Sequence, residues 1–510
     1  MKSRSLSASV LLAFAALPSA WAEVKPSALF SDHAVLQQGA EVPVWGTARE
    51  GEAVSVEFAG QKATTTTKDG KWRVTLKDLK PGAPGVLTIK GDNTITVQDV
   101  VAGEVWLCSG QSNMARTVVP PEIVQPRRPY WEESAAEANF PMIRQFRTGG
   151  GALDEPAAEI SGKWEVCTPK AVREFTAVGY YFAKNLWEAR KTPVGLINAS
   201  VGATGAASWV SRETLLSTPR LKNDLDRQAK SKAEYPALLE RYKSVEAKTQ
   251  ADYEAAAAKA KADGQPEPRK PMPPRNPFTD AYRPTGYYNS KIAPLAPYAL
   301  RGVLWYQGES NSGNAAGYRE LFPALIAGWR ALWQQPELPF LFVQLPEYQK
   351  TPPEIREVQL RTWLETPATG MVVTIDCGDA ENIHPSDKRP VGARLALVAR
   401  AQVYGEKIVY SGPLYDGLKI DGSRTVLAFK HVGGGLVAKD GGELKGFVIA
   451  GKDKKFVPAT AKIEGETIVV SSPEVTAPLS VRYGWENVPV PSLYNKEGLP
   501  ASPFRTDLPK

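Results

Sequence analysis

Cys108-Ser109-Gly110-Gln111-Ser112-Asn113-Met114 sets a serine directly after the apolar run Val105-Trp106-Leu107-Cys108. A serine at a tight strand-to-helix turn presents its hydroxyl at the top of a sheet, and its own N–H can face a developing oxyanion. The pattern is not the Gly-x-Ser-x-Gly elbow of α/β-hydrolases, and by itself it equally describes a helix cap. A serine nucleophile needs a base, and the chain has three histidines, His33, His384 and His431. Only His384 falls in the region that also carries Ser112. It lies in Asp376-Cys377-Gly378-Asp379-Ala380-Glu381-Asn382-Ile383-His384-Pro385, with three acids within eight residues. An imidazole on such a loop is suited to general-base work, and an acid beside it would fix its tautomer.

Two further loops carry polar or permissive residues after apolar runs. Gly202 follows Val194-Gly195-Leu196-Ile197-Asn198, and a glycine there lets backbone N–H approach a ligand. Trp305-Tyr306-Gln307-Gly308-Glu309-Ser310-Asn311 puts amides and a carboxylate at the end of Val303-Leu304-Trp305-Tyr306. Buried polar groups at such an edge need partners and often serve as them.

The elements that must position these loops follow from periodicity. Between about 101 and 405, strand-length apolar runs, which also include Leu341–Leu345 and Met371–Ile375, alternate with helical stretches near 175–189, 318–333 and 391–403. Continuous apolar strands alternating with helices predict a parallel sheet covered on both faces, with ligands beyond the carboxyl ends of its strands. An insertion at about 212–285 reads as a long solvated helix, ended by Gly264, and a proline-rich extended return. Residues 23–100 read as a β-sandwich, with Lys68-Asp69-Gly70-Lys71 as a hairpin turn. Residues 406–510 read as a second β-rich module, with its closing proline-containing segment laid across the surface as a tail.

Composition limits the classes. The chain has 510 residues, 43% hydrophobic and 23% charged, with a formal net charge of +7. It contains no Lys/Arg run that would grip phosphates, so no nucleic-acid partner is expected. Residues 1–22 read as a secretory leader: Lys2 and Arg4, the apolar run Val10–Leu17, and Ala20-Trp21-Ala22 as the cleavage pattern. No later stretch is apolar enough to span a membrane, so an exported protein, periplasmic or secreted, is expected. Three cysteines, Cys108, Cys167 and Cys377, allow at most one bridge. No Cys/His cluster is present, and neither a metal nor a cofactor is expected.

Taken together, Gly110–Met114, Trp305–Asn311 and Ile383-His384-Pro385 resemble the sialate O-acetylesterase family, carbohydrate esterases of the SGNH-hydrolase superfamily. Leu36-Gln37-Gln38, Val42–Gly46 and the closing Tyr494–Phe504 also resemble family segments. The resemblance implies a flavodoxin-like, three-layer α/β catalytic domain between the two β-rich modules, acting on O-acetylated sugars. It implies Ser112 as nucleophile, His384 as base and Gly202 as the second oxyanion position after the Ser112 N–H. The third donor would be the side-chain amide of Gln307 or Asn311. Asp379 is the favoured partner for His384, with Asp376, Glu381 and Glu309 as alternatives. The chain departs from the family at Ala203, where a second glycine is usual, and at Glu381, where the superfamily places Asp. An unperturbed His384 would give activity an acid limb near pH 6.5. Two other readings are an esterase for acetylated plant-wall glycans such as xylan, and a glycan-binding protein using Trp72, Tyr483 and Trp485.

Overall fold

The computed structural model describes residues 23–121 and 128–507. The leader assigned to residues 1–22 lies outside them. The centre of the molecule is a sheet whose strands we number β1 (Thr94–Gly110), β2 (Phe140–Thr148), β3 (Gly162–Cys167), β4 (Val194–Ser200), β5 (Gly302–Tyr306), β6 (Phe340–Val343) and β7 (Thr369–Val372). Their spatial order is β3-β2-β4-β1-β5-β6-β7. All neighbours are parallel except the β3–β2 pair at one edge. Every residue of β5, β6 and β7 is buried, as expected of strands covered on both faces.

Helices occupy the crossovers. We number them α1 (Ser112–Ala115), α2 (Ala177–Arg190), α3 (Pro219–Ala262), α4 (Ala315–Trp333), α5 (Pro353–Glu365) and α6 (Arg389–Val398). Helix α4 shows why they form. Asn314 accepts the Gly317 N–H at its start, and Tyr318, Leu321, Phe322, Leu325, Ile326 and Trp329 recur at helical spacing on its buried face. Each large side chain so buried contributes roughly 1.5–3 kcal/mol. The chain leaves the helix through Gln334 in the left-handed conformation.

Strand β1 is 17 residues long and belongs to both the N-terminal module and the central sheet. It pairs with Gly85–Lys90 near its start and with β4 and β5 further on, so residue 100 lies inside a continuous strand. The N-terminal strands and the central domain share one hydrophobic core. The C-terminal module has its own, around Leu427, Phe447, Ile468 and Tyr483. Its closing segment is not a surface tail. Leu493–Asn495 pairs with Leu436–Ala438, Phe504 pairs with Tyr483, and Leu493, Asn495 and Ala501 are inaccessible to solvent. The prolines bend a segment whose apolar side chains fill that second core.

Helix α3 is 44 residues long, yet only Leu221 and Leu225, near its start, are buried. The three cysteines are all free thiols. Of the aromatics considered for sugar stacking, Trp72 and Tyr483 are core residues. Trp485 has the guanidinium groups of Arg482 and Arg505 near its ring. Among the described residues no helix is long and apolar enough to cross a membrane.

Candidate active site

Four loops at the carboxyl ends of β1, β4, β5 and β7 converge. Gly110, the last residue of β1, has φ +132°, and a Cβ there would collide with the Tyr306 carbonyl oxygen on β5. Glycine therefore lets the two strand ends close together, and Ser112 follows at the first position of α1. Ser112 Oγ stands 2.8 Å from His384 Nε2. Gly202 faces the serine from β4, where an added Cβ would lie 3.5 Å from Ser112 Cβ. Among the described residues, the backbone N–H groups of Ser112 and Gly202 donate to no protein acceptor.

The β5 loop supplies the amides, and the structure gives them different tasks. Gln307 is fully buried, and its Nε2 already donates to Gln111 Oε1, Thr204 O and Asn311 Oδ1. Asn311 accepts at Oδ1 from Gln307 (2.7 Å) and from the Ala206 N–H (2.9 Å). With its oxygen held twice from behind, its Nδ2 is the side-chain amide of the loop that donates to no acceptor among the described residues.

Three of the four acids considered for His384 are held elsewhere. Asp379 Oδ1 accepts the N–H groups of Glu381 and Asn382 and so ties its own turn. Asp376 forms a two-pronged ion pair with Arg394. Glu309 Oε1 accepts from Asn113 Nδ2 at 2.5 Å. No hydrogen bond or ion pair joins the His384 ring to Asp376, Asp379, Glu381 or Glu309. Asp379, favoured from the sequence as ring partner, thus has its Oδ1 engaged within its own turn: a short acid side chain on a tight loop bonds the nearest N–H groups first.

A family model for carbohydrate esterases described as sialic acid-specific acetylesterases matches residues 283–400, which include the β5 loop and His384. The chain is 31% identical over 417 residues to the sialate O-acetylesterase of Rattus norvegicus, covering 73% of this chain and 72% of the relative. It is 27% identical over 528 residues to that of Homo sapiens, covering 93% and 90%. The fold matches the crystal structure of a carbohydrate acetylesterase from Xanthomonas citri with a TM-score of 0.78 and 35% identity, covering 95% of this chain and 99% of that one. The chain belongs to the sialate O-acetylesterase family. It is a carbohydrate esterase, a carboxylic ester hydrolase.

The electrostatics of this family member centre on residues that sequence reasoning passed over. Asn113 is completely buried and links three loops. Its Nδ2 donates to Glu309 and to the Ile383 carbonyl, one residue before His384, and its Oδ1 accepts from Lys388 Nζ at 2.6 Å. Lys388 is itself buried, 5.4 Å from the Tyr306 ring centre, and burial pushes its ammonium down to about 7. Burial raises the Glu309 carboxyl above its ordinary range, against the pull of Asn113 and Lys388. Burial, then the positive charges of Arg116 and Lys388, lower His384 to about 4. The only sequence cue to Asn113 was its place beside Ser112, and Lys388 had none. Among the described residues no group of three His, Cys, Asp or Glu side chains could hold a metal ion.

Proposed function

We propose that Ser112 and His384 release acetate from an O-acetylated carbohydrate through an acetyl-enzyme. The observation that carries this reading is the 2.8 Å contact between Ser112 Oγ and His384 Nε2 at the carboxyl ends of parallel strands. His384 Nε2 takes the serine proton as Oγ bonds to the acetyl carbonyl carbon. The carbonyl oxygen becomes an oxyanion, met by the N–H groups of Ser112 and Gly202 and by Asn311 Nδ2. Gln307 acts through Asn311, fixing which end of that amide faces the site. The C–O bond to the sugar then breaks, and the sugar oxygen leaves with the imidazolium proton. Water, deprotonated by His384, attacks the acetyl carbonyl, and acetate departs as Oγ regains its proton. The Asn113 junction with Glu309 and Lys388 positions the loop that brings His384 to the serine.

Without the edge pair β2 and β3, the parallel strands run in the order β4-β1-β5-β6-β7. Counted along the chain this is 2-1-3-4-5, which supports a flavodoxin-like, three-layer SGNH domain over 101–405. Modules 23–100 and 406–510 would flank it. With residues 1–22 as a cleaved leader, the enzyme would be exported, to the periplasm or beyond. O-acetylated sialic acid, the sugar in the relatives' name, and an acetylated neutral oligosaccharide are the substrates to set against each other. Acetate release by Ser112→Ala should fall by about 10⁴-fold or more, with the far-ultraviolet circular dichroism unchanged. A mutant that keeps its rate would remove Ser112 from the mechanism.

A further inference from the structure

A cleft of about 650 Å³ opens beside the oxyanion turn, between the start of α3, the end of its proline-rich return and the loop that carries Asn311. Its volume lies in the range of small-molecule sites, roughly 300–1,000 Å³, far beyond the needs of an acetyl group. Asn311 and Gly205 line it, which sets it beside the place proposed for the ester carbonyl. A sugar with its acetyl group at Ser112 must put its ring and its neighbouring units somewhere adjacent, and this cleft is adjacent.

The lining has the chemistry of a neutral sugar site. Asn223 and Gln228 present side-chain amides that make no hydrogen bond among the described residues. Such amides can donate and accept across a pair of sugar hydroxyls. Tyr282, 43% exposed and with the Arg275 guanidinium 4.8 Å from its ring centre, offers its remaining exposed aromatic surface to the apolar face of a sugar ring. The cations in the wall are already matched. Arg220 pairs with Glu320 at 3.1 Å, Arg227 with Asp224, and Arg283 with Asp154 at 2.8 Å. A carboxylated sugar would have to share a guanidinium whose charge an acid already offsets.

The helical insertion also gains a purpose from this placement. The first turns of α3 dock through Leu221, Leu225 and the Arg220 contacts to Ala316 O and Glu320, Lys232 further along pairs with Asp154 at 3.6 Å, and the first turns form the cleft wall. The rest of the helix adds almost nothing to the core.

We propose that this cleft is the leaving-sugar subsite and that it takes the units of a neutral O-acetylated oligosaccharide whose acetyl group lies at Ser112. The inference rests on Ser112 and His384 being the ester-cleaving pair. Three substrates test it, with an O-acetylated sialic acid run beside them for comparison: p-nitrophenyl acetate, an acetylated xylose monomer and acetylated xylo-oligosaccharides. The wild type should favour the oligosaccharides over the monomer in kcat/KM by about tenfold or more. Gln228→Ala and Tyr282→Ala should erase that gain while leaving p-nitrophenyl acetate hydrolysis unchanged. Calorimetric titration of the Ser112→Ala protein with unacetylated xylo- and cello-oligosaccharides should show binding that Tyr282→Ala, added to it, weakens. No gain with chain length in the wild type, an equal fall on all three substrates in the variants, or a preference for O-acetylated sialic acid over every neutral sugar would overturn the subsite. Loss of p-nitrophenyl acetate hydrolysis in the wild type, or its survival in Ser112→Ala, would instead overturn the ester-cleaving pair itself.

Discussion

Ser112 stands two residues past the end of a strand paired on both sides, whereas His384 stands twelve residues past the end of β7, on an irregular loop. The serine is located by backbone. Strand β1 is held between β4 and β5, and Gly110 admits the Tyr306 carbonyl. The histidine is located by side chains. Asn113 holds the Ile383 carbonyl, Asn382 Oδ1 accepts the His384 N–H, and Glu347 accepts the N–H of Gly378 further back on the same loop. One half of the proposed pair is thus fixed by the sheet and the other by a buried polar junction. Such a junction is rigid while every member is satisfied and fragile when one is lost.

The largest effect should come from the sheet-fixed half. Asn311→Ala removes the amide proposed to meet the oxyanion while leaving Ser112 and His384 in place. Loss of one such donor costs about 2.7–4 kcal/mol, so kcat should fall by about 10²–10³-fold with KM little changed. A fall in kcat/KM that comes wholly from KM would make Asn311 a ground-state contact. Asn113→Ala should act on the other half. It deletes the tie to Ile383 and leaves Lys388 and Glu309 facing a void. We expect about a 10- to 100-fold loss of kcat, from misplacement of the base. In a His384→Ala background the same change should have almost no further effect, because a positioning residue has nothing left to position. Equal losses in both backgrounds would contradict the assignment.

The same contrast decides what was legible in the sequence. The strands bearing Ser112, Gly202 and Gln307 were legible because a doubly covered strand is a continuous apolar run, and the loops after them follow directly. The edge pair β2 and β3 was missed because β2 carries Arg144, Gln145 and Arg147 among its apolar residues. Arg144 is nonetheless buried, paired with Asp99 at 2.9 Å. Burial of a charged side chain depends on a partner 45 positions away, which no local pattern reveals. Helix α5 was missed for a related reason. Arg356 and Gln359 lie on its buried face, bonded to carbonyls of the β5 and β6 loops and, through Arg356, of the C-terminal module. The support of His384 is long-range in the same way, since Asn113 and Lys388 are 275 positions apart. Proximity in sequence instead favoured Asp379, whose carboxylate bonds within its own turn.

Lys388 sharpens the comparison through pH. In the proposed mechanism neutral His384 is the active form, and with burial and two cations holding it near 4, kcat/KM should stay level from pH 8 to about 5 and fall with a midpoint near 4. An unperturbed imidazole would give a midpoint near 6.5. Below about pH 7 Lys388 carries its charge and opposes protonation of the ring. Lys388→Met removes that repulsion, so the acid limb should move to higher pH, with a loss at the plateau from the unpaired Asn113 oxygen. A plateau loss with no movement of the limb would restrict Lys388 to holding Asn113.

The smallest effect is expected where the sheet-fixed half is itself imperfect. Ala203, directly after Gly202, has φ +61°, the left-handed region that costs a non-glycine residue roughly 1–2 kcal/mol. That conformation gives a physical reason for the glycine usual at this position in the family. Ala203→Gly relieves the strain, but it also frees the unfolded chain, which offsets roughly 0.5–1 kcal/mol of the gain. The net should be about 0.5 kcal/mol of added stability, read as a Tm rise of about 1 °C. If the sheet alone sets the position of the Gly202 N–H, kcat/KM should change by less than about twofold. A tenfold fall without loss of Tm would mean that the alanine holds the oxyanion turn in place. The nucleophile side would then depend on a side chain, as the His384 side depends on Asn113.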